Sequence, residues 1–229
     1  MMNIFCGMEK LSLVDFDGYL ACTLFTGGCN YRCPFCHNSP LIHMQSPLEF
    51  EEILKFLNSR KKMLDAVVIT GGEPTLHPIL PDVIKKIKDL GFKIKLDTNG
   101  TNPTMLKELI NNKLIDYVAM DIKTSLNNYH IVTGVNNPLL DKVKESINIL
   151  KTSGIDYEFR TTLVKEYHTE EEIYKIKELL VDAKKLYLQK FVLRETCLNQ
   201  NLNEVDKDTA NNYKTILESA IKQVHLRGY

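Results

Sequence analysis

Strand-like and helix-like segments alternate regularly along this chain, and that alternation restricts its fold more than any other feature. Six short runs are rich in Val, Ile, Leu, Phe or Tyr, and amphipathic segments with helical spacing lie between them. The runs lie near 19–26, 65–70, 92–97, 116–121, 157–164 and 186–193. This order predicts an α/β fold with parallel strands joined by right-handed crossovers. Six units are too few for a closed eight-stranded barrel, so a partial (β/α)6 barrel and a doubly wound sheet both remain open.

Charged residues on one face of the later strands favour the partial barrel. Because side chains alternate along a strand, the charged and apolar residues of these runs fall on opposite faces. The charged face carries Lys95 and Asp97, then Asp121 and Lys123, then Glu158, Arg160 and Thr162. A sheet covered by helices on both sides would be apolar on both faces, whereas a barrel wall can enclose a polar lumen. The alternative is that these charges only neutralise one another, since buried charges must be paired.

The composition is that of an ordinary globular protein. The chain has 229 residues, 44% of them hydrophobic, and its 29 basic and 29 acidic side chains cancel. A neutral chain is atypical of nucleic-acid binders, which usually carry a basic excess. No apolar run reaches the roughly 18 residues that cross a bilayer, and the N-terminus lacks a signal-peptide pattern. We therefore expect a cytosolic protein with neither nucleic-acid nor membrane partners.

Three of the six cysteines lie within eight residues of one another. Cys29, Cys33 and Cys36 have the spacing C-x3-C-x2-C and directly follow the first predicted strand. An extracellular disulfide framework would instead spread its cysteines and follow a secretory signal, so the cluster indicates a metal. A structural zinc site would need a fourth ligand, for which His37 or His43 is near enough. Three thiolates alone suit an iron-sulfur cluster with one iron open to substrate or cofactor.

Several further motifs accompany this cysteine loop. Gly71-Gly72-Glu73-Pro74 directly follows the second predicted strand, where a plain turn would be the ordinary interpretation. The other motifs are Gly28-Cys29-Asn30, Cys36-His37-Asn38, Asp97-Thr98-Asn99-Gly100, Met120-Asp121-Ile122-Lys123 and Glu158-Phe159-Arg160-Thr161-Thr162. Together they resemble the radical S-adenosylmethionine (SAM) superfamily. Over residues 11 to 193 the set is similar to the anaerobic ribonucleoside-triphosphate reductase activating proteins, which are activases of glycyl radical enzymes.

The resemblance implies one radical SAM domain over 1–229, with its core at about 11–193 and a C-terminal helical extension at 194–229. It implies a 4Fe-4S cluster on Cys29, Cys33 and Cys36, with SAM on the open iron. Glycine backbone at the Gly-Gly turn would approach the methionyl ammonium, and the following glutamate would accept from it or orient the turn. The implied SAM contacts are Phe35, His37, Gly71, Gly72, Glu73, Asp97, Asn99, Lys123 and Arg160. A monovalent cation beside SAM would be held by Asp97, Thr98 and Asp121.

The resemblance also implies an activity. A flavodoxin or ferredoxin would supply one electron, SAM would be cleaved to a 5′-deoxyadenosyl radical, and that radical would take hydrogen from a glycine Cα in the partner. The expected partner is an anaerobic (class III) ribonucleotide reductase. Another glycyl radical enzyme, or a small-molecule reaction like that of 7-carboxy-7-deazaguanine synthase, is the alternative. A zinc-binding structural or interaction module remains a third possibility. His77, His130, His168 and His225 match no ligand spacing and are interpreted as core or surface residues.

The sequence also predicts where three helices start and which residues the last helix carries. Three starts carry capping patterns, in which a polar N-cap accepts a hydrogen bond from the first turn. These patterns are Ser46-Pro47 with Glu49, Asn102-Pro103, and Thr169 with Glu172. The final helix is predicted to carry Tyr213, Ile216, Leu217, Ala220 and Val224.

Overall fold

The computed structural model describes residues 2–43 and 47–229. These residues form two compact units. The first unit comprises described residues within 1–30, 40–98 and 102–119, and the second comprises 31–39, 99–101 and 120–229. Ser46, the expected cap of the first long helix, lies outside the described residues.

The first unit is built from four strands, the start of a fifth, and three helices. Its elements are β1 (Phe5–Ser12), β2 (Ala21–Thr26), α1 (Phe50–Arg60), β3 (Ala66–Gly71), α2 (Leu80–Lys88), β4 (Lys93–Thr98), α3 (Pro103–Asn111) and the first residues of β5 (Tyr117–Asp121). β1 pairs antiparallel with β2, and β2, β3 and β4 pair in parallel in that order. The Asp116 amide then donates to Ile94 O at 2.8 Å, so the chain entering β5 lies beside β4.

The second unit continues the same alternation. Its elements are the end of β5, α4 (Tyr129–Thr133), α5 (Leu140–Thr152), β6 (Asp156–Leu163), α6 (Glu170–Leu179), β7 (Leu186–Lys190), α7 (Lys207–Glu218) and β8 (Val224–Arg227). β6, β7 and β8 are parallel neighbours. The Ile122 amide donates to Arg160 O at 2.8 Å, which joins the end of β5 to β6. The expected α/β class with a mostly parallel sheet is thus confirmed, as are all six expected strands.

The helices cover one face of the strands with an apolar layer. In α2, Leu80, Val83, Ile84 and Ile87 are fully buried, which matches the 3.6-residue period of that helix. In β7, Leu188 is fully buried while its neighbour Gln189 is only partly so, which separates an apolar face from a polar one. The opposite face of β7 therefore carries polar groups. In the first unit the corresponding side is partly apolar, since Ala66 and Val68 of β3 pack with Phe16 and Ala21.

Lys95, which is in register with buried Val68, shows that one of the expected charged positions is structural. Its ammonium donates to Asp15 O at 2.6 Å and lies 5.7 Å and 5.6 Å from the ring centres of Phe16 and Tyr117. Only 3% of the residue is exposed. A carbonyl and two aromatic faces stabilise the buried charge, so Lys95 needs no ligand to account for it.

Two strands, one helix end and one helix start differ from the sequence-based expectation. β1 and β8 were not anticipated. Ala220 and Val224 were expected on the last helix, but α7 ends at Glu218 and Val224 begins β8. α1 begins at Phe50 after the N-cap position Glu49, which makes no side-chain capping bond, so Pro47 is not its first residue. The Asn102 and Thr169 caps are confirmed, since their side chains accept from the amides of Met105 and Glu172. Among the described residues, no helix is long and apolar enough to cross a membrane.

Candidate functional site

In the first unit, backbone hydrogen bonds attach the Gly-Gly turn to the start of the cysteine loop. The Gly72 amide donates to Thr26 O at 2.9 Å, and the Glu73 amide donates to Gly28 O at 2.8 Å. These bonds continue the β2–β3 ladder beyond the ends of both strands. The Cys29 amide is held separately, since it donates to Ile42 O at 3.3 Å. The backbone carrying Cys29 is therefore fixed by its own unit.

The close approach of these segments explains the two glycines. A Cβ on Gly72 would lie 2.0 Å from Gly28 O, and a Cβ on Gly71 would lie 2.3 Å from the Thr26 nitrogen. Gly71 also has φ +121°, a conformation that side-chain-bearing residues rarely adopt. The first unit thus requires glycine at both positions for its own backbone packing, independently of any contact with SAM.

Glu73 holds the turn that follows the glycines. Its Oε1 accepts from the Thr75 amide at 3.1 Å, the Thr75 hydroxyl at 2.6 Å and the Thr98 hydroxyl at 2.7 Å. Glu73 is 1% exposed. These bonds fit the role of orienting the turn and connect it to the end of β4, where partly buried Asp97 precedes Thr98.

In the second unit, Cys33 and Cys36 lie on one tight turn. The Cys36 amide donates to Cys33 O at 3.1 Å, and the Asn38 backbone hydrogen-bonds to the Cys36 thiol. Burial raises the pKa of Cys36, although the positive charge of Lys123 and the Asn38 bond oppose the shift. An amide donor and a nearby cation both stabilise a thiolate, which is the form that binds metal.

The segment after β7 covers this turn. The Asn199 amide donates to Pro34 O at 2.9 Å, His37 Nε2 contacts Val192 O at 2.7 Å, and the Ser39 hydroxyl donates to Thr196 O. The His37 ring also stacks near Phe191, with ring centres 6.0 Å apart. Since a carbonyl can only accept, the proton of His37 lies on Nε2, and this contact fits a loop residue bonded to backbone.

A three-residue ion network connects the carboxyl end of β5 with the middle of β6. The Asp121 carboxylate accepts from Lys123 Nζ at 2.8 Å and from Arg160 Nε at 3.0 Å. Burial raises the pKa of Asp121, but the two cations outweigh it and lower the pKa to about 2. Burial opposes the charge of Lys123, but Asp121 raises its pKa above the ordinary value. The network carries one net positive charge, and Lys123 Nζ lies 5.9 Å from the Phe35 ring centre.

His168 supports the backbone of this network, a role that the sequence analysis missed. Its Nε2 donates to Lys123 O at 2.9 Å, and its Nδ1 accepts from the Val164 amide at 3.0 Å. The residue is 1% exposed, and burial lowers its pKa. The Tyr129 hydroxyl accepts from the Lys123 amide at 3.3 Å. His168 lies 45 residues from Lys123 in the sequence, so motif spacing could not reveal its role.

Asn99 is engaged in a local turn in the second unit. Its Oδ1 accepts from the Thr101 amide at 3.0 Å and from the Thr101 hydroxyl at 2.7 Å. The residue is buried. The side-chain carbonyl of Asn99 is therefore used to shape the loop after β4.

The candidate residues are distributed over both units. Cys29, Gly71, Gly72, Glu73, Asp97 and Thr98 belong to the first, whereas Cys33, Phe35, Cys36, His37, Asn99, Asp121, Lys123 and Arg160 belong to the second. Within the described part of the chain, no three His, Cys, Asp or Glu side chains converge as ligands of one metal ion.

Comparisons with known proteins agree with these motifs. The model of the radical SAM superfamily matches residues 23–180, which is more than half of the chain. A protein of Methanocaldococcus jannaschii, provisionally named a glycyl-radical enzyme activating enzyme, is 34% identical over 196 residues. The match covers 83% of this chain and 81% of that protein.

Two further proteins extend the comparison. Pyruvate formate-lyase-activating enzyme of Clostridium pasteurianum is 34% identical over 135 residues, which cover 57% of this chain and 56% of the relative. The structure of Streptococcus suis SuiB bound to S-adenosylmethionine matches with a TM-score of 0.65 at 15% identity, over 88% of this chain and 48% of that one. At this identity the structural match shows the fold alone. The superfamily match and the 34% identity to the first relative show that this protein belongs to the radical SAM superfamily.

Proposed function

We propose that this radical SAM enzyme is an activase that generates a glycyl radical on a partner enzyme, an anaerobic (class III) ribonucleotide reductase. Superfamily membership implies a 4Fe-4S cluster and SAM. The relatives named as activating enzymes support the activase reaction. The motif set of the sequence supports the reductase as partner. A flavodoxin or ferredoxin as electron donor, and a cytosolic location, are parts of the same proposal.

The ion network beside the Cys33–Cys36 turn is the observation that supports SAM binding over a structural zinc site. It carries a surplus positive charge between the carboxyl end of β5 and the middle of β6, where Lys123 lowers the pKa of the Cys36 thiol. A structural zinc module would not require a partly buried pair of cationic side chains at this position, because the zinc ion already compensates the negative charge of its thiolates. An enzyme that binds a carboxylate next to its cysteines does require one.

The donor chemistry of these residues fits the implied cofactors. Cys29, Cys33 and Cys36 would hold the cluster, and the net positive network of Lys123 and Arg160 would bind the SAM carboxylate. Gly71, Gly72 and Glu73 would face the ammonium, and Asp97 and Asn99 the hydroxyls. Phe35 and His37 would contact adenine. Asp97, Thr98 and Asp121 are the proposed ligands of a monovalent cation.

When bound, the cluster and SAM supply a 5′-deoxyadenosyl radical that abstracts hydrogen from the substrate. The chain itself needs no acid or base for such a transfer, so its residues orient the reactants and exclude water. Cys33 and Phe35 are each 7% exposed, and the covering segment after β7 shields the turn that carries them. Asp121 keeps the cationic heads of Lys123 and Arg160 at fixed positions.

The test is anaerobic iron-sulfur reconstitution, followed by reduction with SAM and the reductase, with EPR detection of a glycyl radical doublet. Cys29→Ser, Cys33→Ser and Cys36→Ser should each abolish the doublet and lower bound iron. Cys6→Ser is the control, because Cys6 lies in β1 and outside the cysteine loop.

The possible outcomes separate the alternatives. A doublet that survives all three serine substitutions would refute the proposed ligand set. Formation of 5′-deoxyadenosine without a doublet would favour another glycyl radical enzyme or a small-molecule substrate. Zinc in place of iron would reject the radical reaction.

A further inference from the structure

A second group of polar residues lies beyond the ion network on the same face of the second unit. Because registered residues of parallel strands share a face, Arg160 and Tyr187 lie side by side, as do Thr162 and Gln189. Gln189 is likewise in register with Arg227 of β8. Thr162 lies two residues closer to the carboxyl end of β6 than Arg160, and Gln189 of β7 is in register with Thr162. Both residues therefore lie toward the strand ends at which parallel sheets bind their ligands.

Gln189 provides the central observation. Its Oε1 is buried, yet no group among the described residues donates a hydrogen bond to it. Burying an amide oxygen without a donor costs free energy, and buried polar groups are nearly always paired. A ligand N–H would remove that cost.

The charges around Gln189 indicate a neutral ligand. Arg227, its register neighbour, has its guanidinium 3.5 Å from the carboxylate of Glu158, which is 2% exposed. The acid therefore compensates the arginine charge. Thr162 and Gln189 are themselves neutral, so this part of the face does not favour phosphate or carboxylate groups.

The aromatic ring on this face is already covered. The Arg227 guanidinium stacks 3.9 Å from the centre of the Tyr187 ring, and the His225 ring lies 5.0 Å from it. Flat heteroaromatic substrates are commonly bound by stacking on such rings. A ring covered in this way favours a non-aromatic ligand.

We propose that Gln189 accepts a hydrogen bond from a backbone amide of the substrate, so that the ligand on this face is a neutral peptide segment. The inference deepens the proposed function and rests on it, because a glycine that donates hydrogen from Cα is flanked by two such amides. Gln189 would then be a specificity residue that aligns the glycine with the radical.

The experiment uses the reconstituted protein and a synthetic probe, N-acetyl-Ala-Ala-Gly-Ala-Ala-amide, with the glycine Cα dideuterated. Binding is measured by fluorescence anisotropy of the labelled peptide, and hydrogen transfer by deuterium in 5′-deoxyadenosine. Gln189→Met removes the amide while keeping the length of the side chain. Gln223→Met is the matched control, since Gln223 is exposed and directly precedes β8.

Gln189→Met should raise the peptide Kd about 3- to 10-fold, the value of one net hydrogen bond, and Gln223→Met should not change it. The thermal midpoint of Gln189→Met should not fall, because the substitution removes a desolvated acceptor. Two further peptides are N-methylated, one at the glycine nitrogen and the other at the next backbone nitrogen. Methylation should weaken peptide binding to the unsubstituted protein. For one of the two peptides, this loss of affinity should be absent in Gln189→Met.

Equal peptide binding by Gln189→Met and the unsubstituted protein would overturn the inference, as would no binding at millimolar peptide. Failure of the proposed function would look different. Peptide binding would then depend on Gln189, but no deuterium would enter 5′-deoxyadenosine.

Discussion

Gly72 allows the Gly-Gly turn to pack against the start of the cysteine loop because glycine has no Cβ. Its hypothetical Cβ would lie 2.0 Å from Gly28 O, and both partners are backbone, which cannot rotate away as a side chain can. We expect Gly72→Ala to separate the two segments, to break the Glu73–Gly28 bond, and to lower both thermal stability and iron content after reconstitution.

Gly7→Ala is the matched control for this substitution. Gly7 also lies in the first unit, and its hypothetical Cβ would meet Phe25 at an ordinary 3.6 Å. An equal loss of stability in both variants would mean that the close approach at Gly72 is not decisive.

Asp121 is the residue on which the ion network depends. Its replacement by Asn would leave Lys123 and Arg160, whose side chains are 16% and 15% exposed, without their shared anion. We expect Asp121→Asn to lower the free energy of unfolding by about 2 kcal/mol, less than for fully buried pairs because Asp121 is 31% exposed. Urea denaturation measures this change. Asp141→Asn, which removes the fully exposed partner of Lys144, should have no measurable effect.

At the scale of elements, the Asn102 cap joins α3 to the Gly-Gly turn. Asn102 Oδ1 accepts from the Met105 amide at 3.2 Å, and its Nδ2 donates to Thr75 O at 2.7 Å. We expect Asn102→Ala to lower the free energy of unfolding by about 1–2 kcal/mol, through loss of a cap and of a tertiary hydrogen bond. The measurement is chemical denaturation. Asn111→Ala, at the other end of α3, should have a smaller effect.

The elements also show where sequence patterns suffice. The six central strands could be predicted because each is a run of β-formers between helical segments. β1 was missed because Gly7, Glu9 and Lys10 interrupt its apolar pattern. The strand is stabilised instead by antiparallel pairing with β2. β8 has only four residues, so Val224 fitted the period of the preceding helix equally well.

The candidate site was predictable only to the level of residue identity. Motifs singled out Asp121, Lys123 and Arg160, whereas the pairing of Arg160 with Asp121 depends on a strand 39 residues further along the sequence. His168 and Gln189 carry no motif, since their importance comes from burial and from the positions of tertiary neighbours. The structural reason for Gly72 was likewise hidden, because its partner Gly28 lies 44 residues earlier.

For the whole molecule, His168 predicts a pH dependence of stability. Burial lowers its folded pKa below the ordinary 6.5, so the unfolded chain binds the proton more readily. Neutral His168 makes its full contribution to the free energy of unfolding above pH 6.5. This contribution is lost as the pH falls from 6.5 toward the pKa of His168 in the folded state. We expect the free energy of unfolding to decline over this interval.

His168→Gln isolates this contribution. The variant should be less stable at neutral pH and should show a flatter stability profile below pH 6.5, as measured by urea denaturation at a series of pH values. His225→Gln is the control, since His225 is exposed. An unchanged profile in His168→Gln would assign the acid sensitivity to other groups.

The backbone bonds that join Gly72 and Glu73 to Thr26 and Gly28 have a consequence for cluster assembly. Ordering a loop costs conformational entropy, and a ligand on a flexible loop loses that entropy when the metal binds. Cys29 follows directly after Gly28, and its own amide is held by Ile42 O. The entropy of positioning this cysteine is therefore lost when the polypeptide folds, so iron and sulfide would meet a thiol that is already in place.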